Sequence, residues 1–381
     1  MTKQNKNLFL LILGTMVALI PGYLIRYQEQ VYMWFYNNFT TYPGDLWNFW
    51  INYLGKGLVY PPEYPAGLRF FYEVFRFDKY LSYTQYFTVN AIILTLCAVG
   101  ITYLLWKIVN RASSFEPRAS KNYIQISNIK YRVLSIWFFW ILAPSFIFYS
   151  FLNYDLPVVF LIVLAVYLFY RQKYYWAISA LALGTVMKVF PVFLLPIFIL
   201  KSPRKNWVKL GLLFIVIVVL LNLPYILQNF NNWIFPYTWQ IGSNLSKDPT
   251  AGTYWWIFYK YLGSFAGWFS LILFAGLYIF TYIKLKKADL IYLCLAVILI
   301  FLLTDRIYSP QYNLYLLPFL ALSFNKIDKR AFYLLEIPNL FIVLFIFFLK
   351  ANPVYLQTLV FIRYGALVWL YLDNYKRSLK L

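Results

Sequence analysis

The chain has 381 residues, of which 62% are hydrophobic, 23% aromatic and only 12% charged, and it carries a formal charge of +21. So much apolar surface cannot be hidden inside one water-soluble core, which excludes a soluble enzyme. There is no histidine, which removes the commonest general base and the commonest zinc ligand.

Apolar runs of about 15 to 20 residues alternate with short basic or aromatic-polar stretches, the length a helix needs to cross a hydrocarbon core of about 30 Å. The period-two alternation of an outer-membrane barrel is missing. The pattern predicts an all-α polytopic membrane protein of about 12 transmembrane helices, forming a single integral membrane domain over residues 1–381. The first run, Leu8 to Ile25, follows Lys3 and Lys6 and resembles a signal peptide. No small-residue cleavage site follows it, and Pro21, Gly22, Tyr23 and Arg26 read as the exit of a retained span.

Residues 26–86 form a first polar-aromatic insert, long enough for two short amphipathic helices lying along the membrane surface. Trp34, Phe35, Trp47, Phe49, Trp50, Phe70, Phe71 and Phe75 set them at interface depth. Spans follow near 87–106, near 133–151, and from Asp155 back to Arg171. Two shorter runs, 174–187 and 190–200, meet at Lys188 and Pro191 and predict a tilted or partly re-entrant hairpin. A span over 207–227 leads to a second insert, 228–262, and spans near 264–283, 288–304, 311–324, 331–349 and 355–373 close the chain. Cys97 and Cys294 both fall in apolar runs, which argues against a disulfide or a thiol metal site.

Strict alternation from a cytoplasmic N-terminus puts most of the basic residues inside, in clusters such as Lys201, Arg204, Lys205 and Lys209 or Lys284, Lys286 and Lys287. This is the positive-inside bias, and lipid headgroups account for the charge without nucleic acid. Both termini are then cytoplasmic, and the two inserts are extracytoplasmic. The acids Glu29, Asp45, Glu63, Glu73, Asp78, Asp155, Asp248 and Asp305 fall outside, which marks the outer face as the working face.

Ionisable residues at membrane depth or at span ends are expensive, so each is a functional candidate. Asp45, Glu63, Asp155, Lys188, Asp305 and Arg306 all emerge on the outer side, although the topology rests on the basic loops. Each also has a plainer reading. Asp45 after Pro43 and Gly44 can cap a short helix, Glu63 can pair with Arg69, and Asp155 can cap a span. Asp305 and Arg306 can neutralise each other. A cation such as Lys188 beside Pro191 has a buried anionic partner more often than not. Ser309, Pro310, Gln311 and Tyr312 form a helix start whose backbone N–H groups suit an anion.

Three patches, in order, carry a resemblance. They are Asp45 with Gly57, Tyr60, Pro61 and Pro62; Asn153-Tyr-Asp155 followed by Lys188-Val-Phe-Pro191; and Asp305-Arg306-Ile-Tyr-Ser309-Pro310-Gln311-Tyr312 with Leu316, Leu317 and Pro318 behind. Together they resemble the polyprenol-phosphate-mannose-dependent mannosyltransferases and their relatives in the GT-C superfamily. There are two departures: Arg306 stands where a Lys is expected, and the first insert has no acid-x-acid pair.

The resemblance implies a GT-C-like fold, in the cytoplasmic membrane if the source is a bacterium or archaeon, and a role in cell-envelope glycan synthesis. It further implies inverting transfer from a polyprenyl-phosphate sugar to a glycan or glycolipid acceptor. The sugar it implies is mannose, with arabinofuranose or glucose as alternatives. One carboxylate suffices as general base, and Asp45 is the candidate. Arg306, Lys188, Ser309, Gln311 and Arg363 are the candidates for the donor phosphate, while Glu63, Asn153, Asp155, Asp305, Tyr60 and Tyr312 support the substrates. With side-chain cations in these positions neither a metal nor a cofactor is required. A transporter or flippase for a lipid-linked or anionic substrate is the reading from a different class, and a non-catalytic assembly subunit is a third.

Overall fold

A computed structural model describes residues 3–31, 33–34, 46, 50, 64–74, 82–111, 129–246, 252–263, 265–323, 329–347 and 353–379. Among the described residues five helices are long and apolar enough to cross a membrane: α1 (Lys3–Arg26), α3 (Tyr83–Arg111), α9 (Trp207–Gln228), α12 (Phe265–Leu285) and α16 (Pro353–Leu379). Between α1 and α3 the described part of the first insert contains α2 (Ala66–Val74). The second insert contains α10 (Phe230–Ser246) and α11 (Trp255–Leu262).

Shorter apolar helices fill the middle: α6 (Asp155–Tyr170), α7 (Tyr174–Met187), a 3-10 turn Phe190–Leu194 running into α8 (Leu195–Lys201), and α13 (Leu290–Thr304). With them stand α14 (Asn313–Leu322) and the longer α15 (Lys329–Phe347). The span expected over 133–151 is split. It begins as α4 (Ile129–Ile136), loosens into a π-helical segment Trp137–Ile141, and restarts as α5 (Pro144–Tyr149). Pro144 sits in the first turn of α5, where its missing N–H costs nothing, and cannot continue the preceding helix.

Apolar character all round a helix means burial, in protein or in lipid, and the two cases separate cleanly here. In α13 every residue but Phe301 is buried, and in α14 every residue is. In α9 only Leu210, Phe214, Asn222 and Tyr225 are buried, while Leu212, Ile215, Val216, Val219 and Leu220 are exposed. The same holds for α12, whose Phe265, Trp268, Phe269, Ile272 and Ile283 face outward. A continuous apolar surface of that size is a lipid-facing one. The expected all-α polytopic bundle is therefore what the chain forms.

The bundle has two distinguishable ends. At one, the Tyr170 hydroxyl donates to Asp289 at 2.6 Å and Lys201 Nζ donates to the Lys286 carbonyl at 2.9 Å, gathering the ends of α6, α8 and α12 and the start of α13. The core helices run from this end to the other, and they are short. α7 has 14 residues, α13 has 15 and α6 has 16, or about 21 to 24 Å at 1.5 Å per residue, against a hydrocarbon core of about 30 Å. The flanking α3 and α16 have 29 and 27 residues, roughly 40 Å each. At this second end Asn90, seven residues into α3, meets Tyr154 just before α6, and Arg363, ten residues into α16, meets Tyr308 just after α13, so both flanking helices continue past the core and leave a recessed floor. The run 174–201 is an antiparallel pair, α7 then α8, that turns at this floor.

Candidate functional site at the recessed end of the core

Asp155 is the first residue of α6 and Lys188 the residue that ends α7, so the antiparallel packing of these two helices brings them face to face. Lys188 Nζ lies 2.8 Å from Asp155 Oδ1. The same oxygen accepts the Tyr315 hydroxyl of α14 at 2.6 Å, and the carboxylate is fully buried. Next to it, the Tyr154 hydroxyl donates to Asn90 Oδ1 at 2.8 Å and lies 3.3 Å from the Tyr86 hydroxyl. Trp50, from the first insert, stacks on Tyr86 with ring centres 5.5 Å apart. Asn153 is buried in the turn just before α6.

The turn joining α13 to α14 supplies the next group. Its first residue, Asp305, does not form an ion pair with Arg306; its carboxylate accepts the Ile307 N–H at 3.0 Å. Burial pushes the Asp305 carboxyl up to about 6, against the opposing pull of the Ile307 and Arg306 N–H groups and the Arg306 charge. Arg306 is buried, with its guanidinium 6.0 Å from the centre of the Tyr259 ring. The second insert clasps this turn from outside: Thr253 donates to the Arg306 carbonyl at 3.4 Å and Tyr254 to the Leu303 carbonyl at 2.9 Å. Ser309 then opens a 3-10 turn, Pro310–Tyr312, that leads into α14. Gln311 is buried and its Oε1 has no partner among the described residues, while the Tyr312 ring packs on Phe301 and Tyr315.

Arg363, ten residues into α16, is fully buried. Its NH1 donates to Asn339 Oδ1 at 2.8 Å, its NH2 to the Gly252 carbonyl, and its guanidinium lies 3.9 Å from the centre of the Tyr308 ring. Behind it a buried carboxylate, Glu336 of α15, accepts the Ser145 N–H at 2.8 Å, the Ser145 hydroxyl at 3.0 Å and the Asn313 amide at 2.7 Å.

The structure therefore gathers Asn153, Asp155, Lys188, Asp305, Arg306, Ser309, Gln311, Tyr312 and Arg363 around the open end of the core. Asp45, Tyr60 and Glu63 lie outside the described residues, as do Gly57, Pro61 and Pro62. Tyr315, Glu336, Asn313, Asn339 and Ser145 escape a reading of span ends because they sit inside spans. Glu336 and Asn339 nonetheless leave a trace, an acid and an amide three apart in the apolar run LLEIPNLF, hence on one helix face. Among the described residues no cluster of acids or cysteines has the make-up to hold a metal ion.

Chemically, this end of the core gathers three cations: Lys188 on Asp155, Arg306 near the Tyr259 ring, and Arg363 on Asn339 and the Tyr308 ring. No curated protein matches the chain. A model of glycosyltransferase family 87 matches residues 60–324, a stretch that takes in α2, the Asp155–Lys188 pair and the Arg306 turn. With more than half of its length matched, the chain belongs to glycosyltransferase family 87, a GT-C-type family of membrane glycosyltransferases.

Proposed function

We propose that this glycosyltransferase takes its sugar from a polyprenyl-phosphate donor and passes it, with inversion, to a hydroxyl of a glycan or glycolipid on the extracytoplasmic face. One observation supports the reading: Lys188 and Arg306 stand where the short core helices end, at the opposite end from the Tyr170–Asp289 and Lys201–Lys286 contacts, as a lipid-borne phosphate entering from one leaflet requires. The basic end of the bundle then faces the cytoplasm, in line with the positive-inside rule, and both termini lie on that side.

In the transfer, Asp45 takes the proton from the acceptor hydroxyl as the acceptor oxygen attacks the anomeric carbon. The bond from that carbon to the phosphate oxygen breaks, and polyprenyl phosphate leaves with the electron pair. Leu46 and Trp50, the next residue and the fifth after Asp45 in the chain, are both buried, and Trp50 reaches Tyr86 beside Tyr154. This supports a place for Asp45 near the floor. Arg306 and Lys188 stabilise the charge that develops on the phosphate, with Ser309 and Gln311 as hydrogen-bond partners. Asp155 and Tyr315 orient Lys188, and Arg363 adds positive potential from the wall, its terminal nitrogens being committed to Asn339 and Gly252. Mannose is the sugar the resemblance favours.

Membranes holding the wild type, Asp45→Asn or Arg306→Ala, supplied with radiolabelled polyprenyl-phosphate mannose, test this. Transfer by the wild type and its loss by at least a hundredfold in both variants, at equal protein level, is expected. Equal transfer by all three rules out the assigned roles, and no transfer from this donor by the wild type overturns mannose as the sugar or the donor class.

A further inference from the structure

We propose that Glu336 is a positioning residue that seats the Arg306 turn and the Gly252–Tyr254 segment through a relay of buried hydrogen bonds. The inference rests on the reading of Arg306 as the cation that meets the departing phosphate. The relay runs from one charge to another: Arg363 NH1 donates to Asn339 Oδ1 at 2.8 Å, Asn339 Nδ2 to Ser145 Oγ at 3.0 Å, and Ser145 Oγ to Glu336 Oε1 at 3.0 Å. Arginine has no acceptor and a carboxylate no donor, so every link between them has one permitted direction. The Asn339 amide can face only one way, and the Ser145 hydroxyl can point only one way. A chain closed at both ends by charge has a single arrangement, and each bond polarises the next.

Three of the four members also hold a piece of the chain at the floor. Asn339 Nδ2 donates to the Pro310 carbonyl at 2.9 Å, fixing the 3-10 turn that bears Ser309 and Gln311. Asn313, held by Glu336 at 2.7 Å, accepts the Tyr308 hydroxyl. The turn from Asp305 to Asn313 is thereby pinned near its middle and at its far end. Arg363 NH2 reaches the Gly252 carbonyl, and the next two residues, Thr253 and Tyr254, hold the Arg306 and Leu303 carbonyls. An ordinary structural brace joins two helices. This one joins α5, α14, α15 and α16 to two irregular segments that flank a single arginine.

Glu336→Gln keeps the volume but turns an N–H₂ toward the Ser145 N–H or the Asn313 amide, so one donor faces another. Asn339→Leu cuts the relay and leaves Glu336 its three donors. The full chain is examined in lipid nanodiscs by hydrogen exchange and by turnover with polyprenyl-phosphate mannose. In both variants, amides from Gly252 to Ile257 are expected to exchange at least tenfold faster, with α7 unchanged. The kcat is expected to fall about tenfold or more while the donor KM stays within twofold. If Glu336→Gln does not fold, Asn339→Leu alone decides. Unchanged protection of 252–257, faster exchange throughout the bundle, or a loss expressed only in KM overturns the proposal. Release of 252–257 with a wild type inactive on this donor keeps the relay and removes the proposed donor instead.

Discussion

Replacing Lys188 by methionine separates the two halves of the floor's ion pair, and their unequal burial decides the size of the effect. The Asp155 side chain is 0% exposed and the Lys188 side chain 20%. Without Lys188 the carboxylate keeps, among the described residues, only the Tyr315 hydroxyl on Oδ1, and its buried Oδ2 has no partner among them. Removing one member of a buried pair costs about 3 to 5 kcal/mol, because a buried charge is left uncompensated. In the reverse variant, Asp155→Asn, the lysine can extend its flexible stem toward water, and Asn still accepts the Tyr315 hydroxyl; a cost of about 1 to 2 kcal/mol is expected. At roughly 2 °C per kcal/mol for a chain of this size, the unfolding midpoint drops by roughly 6 to 10 °C for Lys188→Met and by roughly 2 to 4 °C for Asp155→Asn. The double variant Asp155→Asn with Lys188→Met recovers most of the loss, since no charge is then stranded. Cys97 and Cys294 are free, and Cys294 is fully buried, so a thiol-reactive fluorogenic dye reads the midpoint in detergent without added labels. Asp155→Asn losing as much as Lys188→Met, or a double variant no better than Lys188→Met, would show that burial does not set the energetics of this pair.

Two further outcomes follow from close contact and from titration. A Cβ at Gly67 of α2 would lie 2.7 Å from the Val186 carbonyl carbon and 2.8 Å from the Met187 nitrogen, both backbone atoms of the last two residues of α7, immediately before Lys188. Gly67→Ala must therefore lift α2 off the end of α7, at about 1 to 3 kcal/mol, whereas Gly276→Ala, with nothing within 4 Å, leaves the midpoint unchanged. Equal behaviour of the two variants in the same dye assay would mean that α2 does not rest on α7. For Asp305, whose carboxyl burial moves from 3.8 up to about 6, the folded state disfavours the charged form. Its contribution is then fully present below about pH 4 and is lost as the pH rises through about 6. The midpoint of Asp305→Asn relative to the wild type should rise between pH 4 and pH 6.5 and level off above; a constant difference across that range refutes it.

The parts of this molecule that were legible in its sequence are those encoded by neighbours in the chain. Apolar length and basic punctuation give the helices, because the bilayer reads each span separately. Lys188 next to Pro191 announces a buried partner, yet nothing in the chain says that Asp155, 33 residues earlier, is that partner until α6 and α7 pack antiparallel. The split at Pro144 is hidden for the same reason that Glu336 is. Averaged over a window, one proline or one acid in an apolar run barely alters hydropathy, although the first ends a helix and the second costs several kcal/mol unless satisfied. What satisfies Glu336 comes from Ser145, 191 residues away, and no local pattern spans that distance.

Core helices of 14 to 16 residues look, one at a time, like spans that fall short of the membrane's thickness. Taken together they are matched in length and end together, Tyr170 meeting Asp289 at one end and Asp155 meeting Lys188 at the other. A single short helix would be a mismatch for the bilayer to absorb by thinning or tilt. Here taller neighbours flank the short helices, so the missing length becomes a recess instead, walled by α3 and α16. Charged groups that hydrocarbon would reject can stand on its floor because protein, and not acyl chain, surrounds them. The shortness of the core and the presence of Asp155, Lys188, Arg306 and Glu336 at or near its end are therefore one feature. Lengthening α7 by a turn would raise Lys188 by about 5 Å and carry it away from Asp155.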